Sequence, residues 1–262
     1  MIGIYHFKPE AWNLDDYTLI NKYKEYGFDT ICFYANYQPI DTIESCVKYA
    51  RNIGLTVDTI HGPLKNNAKI WEDDYHEYLQ TLKQYIKLCA KLNIKYFILH
   101  TAGKECISFC ESGLNNFKEL VKLARSLKVI ILIENLRTVD HLIFLTEHIK
   151  SKYFQICLDV GHANVWCYKP CDFINKFKTH IKAVHLHDNL GQVGCDLHLI
   201  PFQGNIDWNK LIPHLYRYYQ GPITLELDNF KTKEYQYKNI DNYLKDAYSA
   251  AKKLLNLTKN HS

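Results

Sequence analysis

The chain has 262 residues, 47% of them hydrophobic and 23% charged, with a formal net charge of +4. This supplies ample material for an α/β core and excludes a disordered chain. No apolar stretch approaches the roughly 20 residues of a membrane span.

The start, MIGIYHFKPEAW, lacks the charged opening and long apolar centre of a signal peptide, so a cytoplasmic location is expected. The cysteines number nine, with no C-x-x-C pair. Their C-x-x-x-C spacings, Cys106/Cys110 and Cys167/Cys171, do not match zinc-finger or ribbon patterns, so reduced thiols are expected. Cys32 and Cys89 sit in apolar segments as small hydrophobes. The lysines punctuate helices rather than cluster. They permit an anionic ligand without forming a nucleic-acid footprint.

In chain order, short apolar runs begin at Ile2 (IGIY), Thr30 (TICFY), Thr56 (TVDTI), Tyr96 (YFILH), Val129 (VIILIE), Phe154 (FQICLD), Lys182 (KAVHLH) and Ile223 (ITLEL). Nearly continuous in β-branched and aromatic residues, they suit strands covered on both faces, as in a parallel sheet. Between them lie segments of helical period such as 14–27, closed by Gly27, and 73–92. Eight alternations in this length predict a single (β/α)8 TIM-barrel domain over residues 1–262, frayed from 255. A doubly wound sheet would want a glycine-rich phosphate turn after the first strand, which IYHFKPEAW lacks.

Active sites of this fold sit at the C-terminal strand ends. Polar residues follow that rule here: His61, His100, Glu134, Asp159, His185 with His187, and Glu226 close six successive runs. Strand alternation puts His185 and His187 on one face. Five histidines (His61, His100, His162, His185, His198) and four acids (Glu134, Asp159, Asp196, Glu226) can gather at this rim. Burying so many ionisable groups is prohibitive without a compensating ion, and histidine with carboxylate suits zinc, manganese and similar divalent ions. The count exceeds what one ion requires and suggests two or three, within an expected range of one to three, with Glu134 or Asp159 as a plausible bridge. Gly161 is expected to let the chain turn so that His162 comes back to the centre. Asp196 and His198, two apart, would point the same way from an extended loop. His187 and Asp188 are placed at substrate or behind the ligands.

The motifs TIHGPL (59–64), FILHTAG (97–103), LIENL (132–136), CLDVGHAN (157–164), AVHLHDN (183–189), DLHLIPFQGNIDW (196–208) and LELD (225–228) resemble those of the xylose-isomerase-like TIM barrel superfamily. That family includes sugar and sugar-phosphate isomerases and epimerases and the endonuclease IV type of apurinic/apyrimidinic endonuclease. Its isomerase branch implies one divalent ion on Glu134, Asp159, His185 and Glu226, with the two glutamates moving protons at substrate carbons. The endonuclease branch implies three zinc ions on His61, His100, Glu134, Asp159, His162, His185, Asp196, His198 and Glu226. Against DNA stand the absence of a glycine-rich first loop and Leu64 in place of an aromatic. The leading expectation is therefore a sugar or sugar-phosphate isomerase or epimerase. The alternative is a trinuclear phosphodiesterase acting on abasic DNA or another phosphoester. A barrel that only binds a ligand is the third.

Overall fold

The computed structural model describes residues 1–6, 12–35, 39–72, 76–101, 108–166, 169–228, 237 and 239–259. Eight strands form one parallel sheet: β1 (Ile2–Tyr5), β2 (Thr30–Tyr34), β3 (Thr56–His61), β4 (Tyr96–His100), β5 (Ile130–Glu134), β6 (Phe154–Asp159), β7 (Ile181–His185) and β8 (Ile223–Leu225). Each of the eight expected runs is a strand. The order β7-β6-β5-β4-β3-β2-β1-β8 brings the two outer strands together. Just past β7, the Leu186 N–H donates to Thr224 O at 2.9 Å and the Glu226 N–H to Leu186 O at 3.2 Å. The sheet is a nearly closed (β/α)8 barrel.

Nine α-helices lie among the described residues: α1 (Asp16–Tyr26), α2 (Ile40–Asn52), α3 (His76–Lys91), α4 (Glu111–Ser126), α5 (Asp140–His148), α6 (Val160–Val165), α7 (Pro170–Phe177), α8 (Trp208–Tyr216) and α9 (Ile240–Leu257). Asp15, Asp207 and Asn239 cap α1, α8 and α9 by accepting from free first-turn N–H groups. Gly27 closes α1 at φ 99° as expected. Residues 255–257 form the last turn of α9 rather than a frayed tail, because Leu254 and Ala251 on that face are buried; 260–262 lie outside the described residues. So do Cys106 and Cys167, while Cys32 and Cys89 are free and buried. Among the described residues no helix is long and apolar enough to cross a membrane.

The two faces of each strand have separate tasks. Outward positions such as Phe97, Leu99, Ile131, Ile133, Ile156 and Leu158 join the large core beneath the helices. Inward positions Tyr5, Cys32, Tyr34, Ile98, Leu132, Cys157 and Ala183 form a second, smaller cluster inside the barrel. Side chains repeat every two residues along a strand. The positions two beyond Ile98, Leu132, Cys157 and Ala183 therefore also face inward, at the barrel mouth. They are His100, Glu134, Asp159 and His185. Apolar filling stops there and ionisable side chains begin.

Candidate metal centre

Strands β3 to β7 each end on a site residue: His61, His100, Glu134, Asp159 and His185. Register pairs His100 with Glu134 and Asp159 with His185 across neighbouring strands. Glu226 follows β8 by one residue.

Glu134 is the hub. Its Oε2 lies 3.0 Å from His61 Nε2, 3.5 Å from His100 Nε2 and 3.4 Å from His185 Nδ1, and its Oε1 is 3.4 Å from His162 Nδ1. Around it the donors fall into groups whose ligand atoms all lie within 4.8 Å of one another. One group is His61, His100 and Glu134; a second is Glu134, Asp159, His185 and Glu226; a third is His162, His187, Asp196 and His198. Glu134 belongs to the first and second. A divalent ion could sit in each.

Several donors are aimed by the backbone. A carbonyl can only accept, so His61 Nδ1 donates to Gly62 O at 2.8 Å, His162 Nδ1 to Asn135 O at 2.9 Å and His198 Nδ1 to Glu226 O at 3.0 Å. Each leaves Nε2 with its lone pair for a cation. Asn135 also ties β5 to β6: its Nδ2 donates to Asp159 O and its Oδ1 accepts the Asp159 N–H, both at 2.8 Å.

The charge balance fits a cation. Glu134, Asp159, His185 and His187 are at most 1% exposed. Glu134 Oε1, Asp159 Oδ2, Glu226 Oε2 and both ring nitrogens of His185 and His187 are buried without an aligned hydrogen bond. Each such group costs about 1–3 kcal/mol if left so, and a shared cation relieves them together. Burial pushes Glu134 upward, but His185 and His100 outweigh it and hold the carboxyl well below its usual range. Glu226 is likewise held low, burial opposing and His185, 2.6 Å away, prevailing. Burial lowers His162 and His185, yet facing acids keep both well above the ordinary histidine value. For His100 burial wins, and its value falls.

A cleft of about 220 Å³ opens over these groups. His61, His100, His162, Asp196, His198 and Glu226 reach it, between walls made by Tyr5, Tyr34, Leu64 and Leu227. Glu134, Asp159 and His185 lie beneath.

All nine donors named from the sequence converge here, but two local explanations change. Gly161 does not make the turn, since it lies within α6; Asp159 starts that helix by accepting the His162 N–H at 2.6 Å. Glycine is required because a Cβ at this position would sit 2.0 Å from the His187 ring. Asp196 and His198 do meet, Oδ2 to Nε2 at 3.0 Å, but through a left-handed His198 (φ 49°) rather than an extended loop. Asp188 turns its carboxylate away from the ligands to accept the Phe202, Ile206 and Asn189 N–H groups and Trp208 Nε1. His6 pairs with Asp16 at 3.0 Å, away from the donor groups. Cys157 was missed as a neighbour of Glu134 and His185, although its position two before Asp159 gives the shared face. Burial pushes its thiol up to about 12, so in the absence of a metal it packs there as a neutral group.

The sequence profile of the family described as xylose isomerase-like TIM barrel matches residues 20–252. An uncharacterized protein of Methanocaldococcus jannaschii is 30% identical over 248 residues, covering 86% of this chain and 82% of that one. A probable endonuclease 4 of Nitrosopumilus maritimus is 29% identical over 156 residues, 51% of this chain and 56% of its own. Among solved structures, D-psicose 3-epimerase from Clostridium cellulolyticum H10 matches with TM-score 0.79 over 98% of both chains at 16% identity. A D-tagatose 3-epimerase-like protein matches with TM-score 0.77 over 98% of this chain and 97% of its own at 20% identity. At these identities the two structures share the fold.

Proposed function

The chain belongs to the xylose isomerase-like TIM barrel family, and from that premise we propose that its barrel mouth is a multi-metal centre that hydrolyses a phosphoester. The observation that carries this reading is the position of Glu134. Its carboxylate is shared between the group of His61 and His100 and the group of Asp159, His185 and Glu226, and is fully buried, with nitrogens of His61, His100, His162 and His185 within 3.5 Å. That is the place of a bridging ligand. A base that takes a proton from a sugar carbon must reach the substrate, and Glu134 lies below the cleft.

The donor set exceeds what one ion needs. His61 and His100 would share one ion with Glu134. Asp159, His185 and Glu226 would share a second with it, and His162, Asp196 and His198 would hold a third. Zinc or manganese suits these ligands. When bound, such ions supply Lewis acidity toward phosphoryl oxygens and activation of water. The chain's own contribution is positional. Backbone carbonyls fix three imidazoles, Asn135 fixes Asp159, and the walls at Tyr5, Tyr34, Leu64 and Leu227 restrict water around a small ester. A cleft of about 220 Å³ suits a single sugar-phosphate unit, whether free or displayed at an abasic position in DNA. The relative named probable endonuclease 4 supports the latter.

A second reading, sugar epimerisation, keeps support from one observation. Glu134, Asp159, His185 and Glu226 form a complete four-donor group on their own, and Glu226 reaches the cleft.

Metal content per chain, followed by two assays, separates the readings. Two or three ions, with cleavage of an abasic duplex oligonucleotide or bis(p-nitrophenyl) phosphate, would support hydrolysis. One ion, with solvent deuterium entering a ketohexose, would replace it with epimerisation.

A further inference from the structure

His187 is the buried histidine that the proposed centre leaves without a task. It is fully buried, and neither ring nitrogen has an aligned hydrogen bond. Its ring lies parallel to that of His198, 5° between planes and 3.8 Å between centroids. Asp196 stands across the Nε2 edges of both: Oδ2 is 3.0 Å from His198 Nε2, and Oδ1 is 3.8 Å from His187 Nε2. His162 Nε2 completes the surround, 3.7 Å from Asp196 Oδ2.

The ring's pose is built in. A Cβ on residue 161 would fall 2.0 to 2.3 Å from Cε1, Nδ1 and Nε2 of His187, so the ring rests on bare α6 backbone. The next residue of that helix is His162. One short helix thus seats the His187 ring and supplies its neighbour.

We infer that His187 is a fourth protein ligand at the third position, with His162, Asp196 and His198. This rests on the multi-metal reading above but not on which reaction follows. Four protein donors close a tetrahedral site, as in structural zinc centres, whereas catalytic positions keep a place for water or substrate. The third ion then organises the loop bearing Asp196 and His198, and chemistry is confined to the positions that share Glu134. A competing task is visible: His187 Nε2 is also 3.1 Å from Asp159 Oδ1, where it would support a ligand of the second position instead.

Metal titration of His187→Gln and Gly161→Ala, by chelator competition with zinc and by cobalt absorption, decides between them. Circular dichroism would establish that each variant is folded. The expected result is that one equivalent binds about 10-fold or more weakly in both variants, the others are unchanged, and cobalt loses its four-coordinate spectrum. The same equivalent should be the one lost in Asp196→Asn/His198→Gln, where adding His187→Gln has no further effect on metal content. A full complement in His187→Gln, or loss of the equivalent that Asp159→Asn removes, would overturn the assignment while sparing the multi-metal centre. Fewer than two ions in the wild-type protein would overturn both.

Discussion

Asn135 grips Asp159 by both sides of its backbone, donating from Nδ2 to the carbonyl and accepting the N–H at Oδ1, each at 2.8 Å. Because Asn135 directly follows Glu134, the clamp fixes the separation of two carboxylates that would address one ion in the proposed centre. Asn135→Ala removes two buried hydrogen bonds and leaves the Asp159 N–H without its side-chain acceptor, at a cost of about 2–4 kcal/mol. Thermal melts of the metal-free protein should fall accordingly, and metal affinity should drop about 10-fold to 100-fold. Unchanged affinity at reduced stability would mean that the clamp supports the fold alone.

Asp188→Asn tests the loop after β7 in the same way. The carboxylate satisfies four donors: N–H groups of Asn189, Phe202 and Ile206, and Trp208 Nε1 at 2.8 Å. An amide at this position must turn an NH2 toward some of them. Destabilisation of about 2–4 kcal/mol follows. The backbone of Asp188 also exchanges two hydrogen bonds with Leu199, at 2.8 and 2.9 Å, next to His198. Metal titration of the variant should therefore show weakening confined to the position served by Asp196 and His198. Equal weakening of every ion would refute this division of labour.

A third test concerns the support behind His100. Gly113 lies inside α4, where alanine would ordinarily gain about 1 kcal/mol. Here a Cβ would come 2.2 Å from Trp71 Cε3, and the indole cannot easily retreat because its Nε1 donates to Thr101 O at 2.7 Å. Gly113→Ala should be net destabilising by about 1–3 kcal/mol, measured by urea unfolding. A gain in stability would show that the indole has room to move.

The barrel could be read from the sequence because most strands are nearly continuous runs of β-branched and aromatic residues, and such runs mark burial on both faces. The candidate donors were legible for the complementary reason: in VIILIE and FQICLD, for example, Glu134 and Asp159 interrupt the pattern where a barrel strand reaches its mouth. What escaped were relationships set by distant contacts. The need for glycine at 161 comes from the ring of His187, 26 positions away, and no local pattern encodes that contact. Asn135 looks like an ordinary strand-end amide until Asp159 is beside it. The meeting of Asp196 and His198 depends on a left-handed φ at a histidine, a conformation that residue type suggests only weakly. Local sequence thus placed the donors, while tertiary contacts set how they are aimed.

The acid–base balance of the centre predicts how metal binding varies with pH. In the metal-free protein, burial lowers His162 and His185, but Asp159 and Asp196 around the first, and Glu226 and Glu134 around the second, hold both well above the ordinary value. A ligand must give up its proton before it binds, so loading is opposed until pH exceeds these raised values rather than the usual ~6.5 of histidine. Glu134, Asp196 and Glu226 are all lowered and remain ionised throughout. For groups with raised pKa the stabilisation is full below the unfolded value and is lost as pH rises through the folded one. The metal-free protein should therefore lose stability as pH rises above the ordinary histidine value of about 6.5 and through the raised values of these two groups, while affinity for zinc rises over the same window. Melting curves with zinc and with chelator should diverge as pH increases, and calorimetry in buffers of different ionisation enthalpy should register proton release on binding. A gap that stays constant or narrows toward alkaline pH would show that these histidines are not the groups that metal displaces protons from.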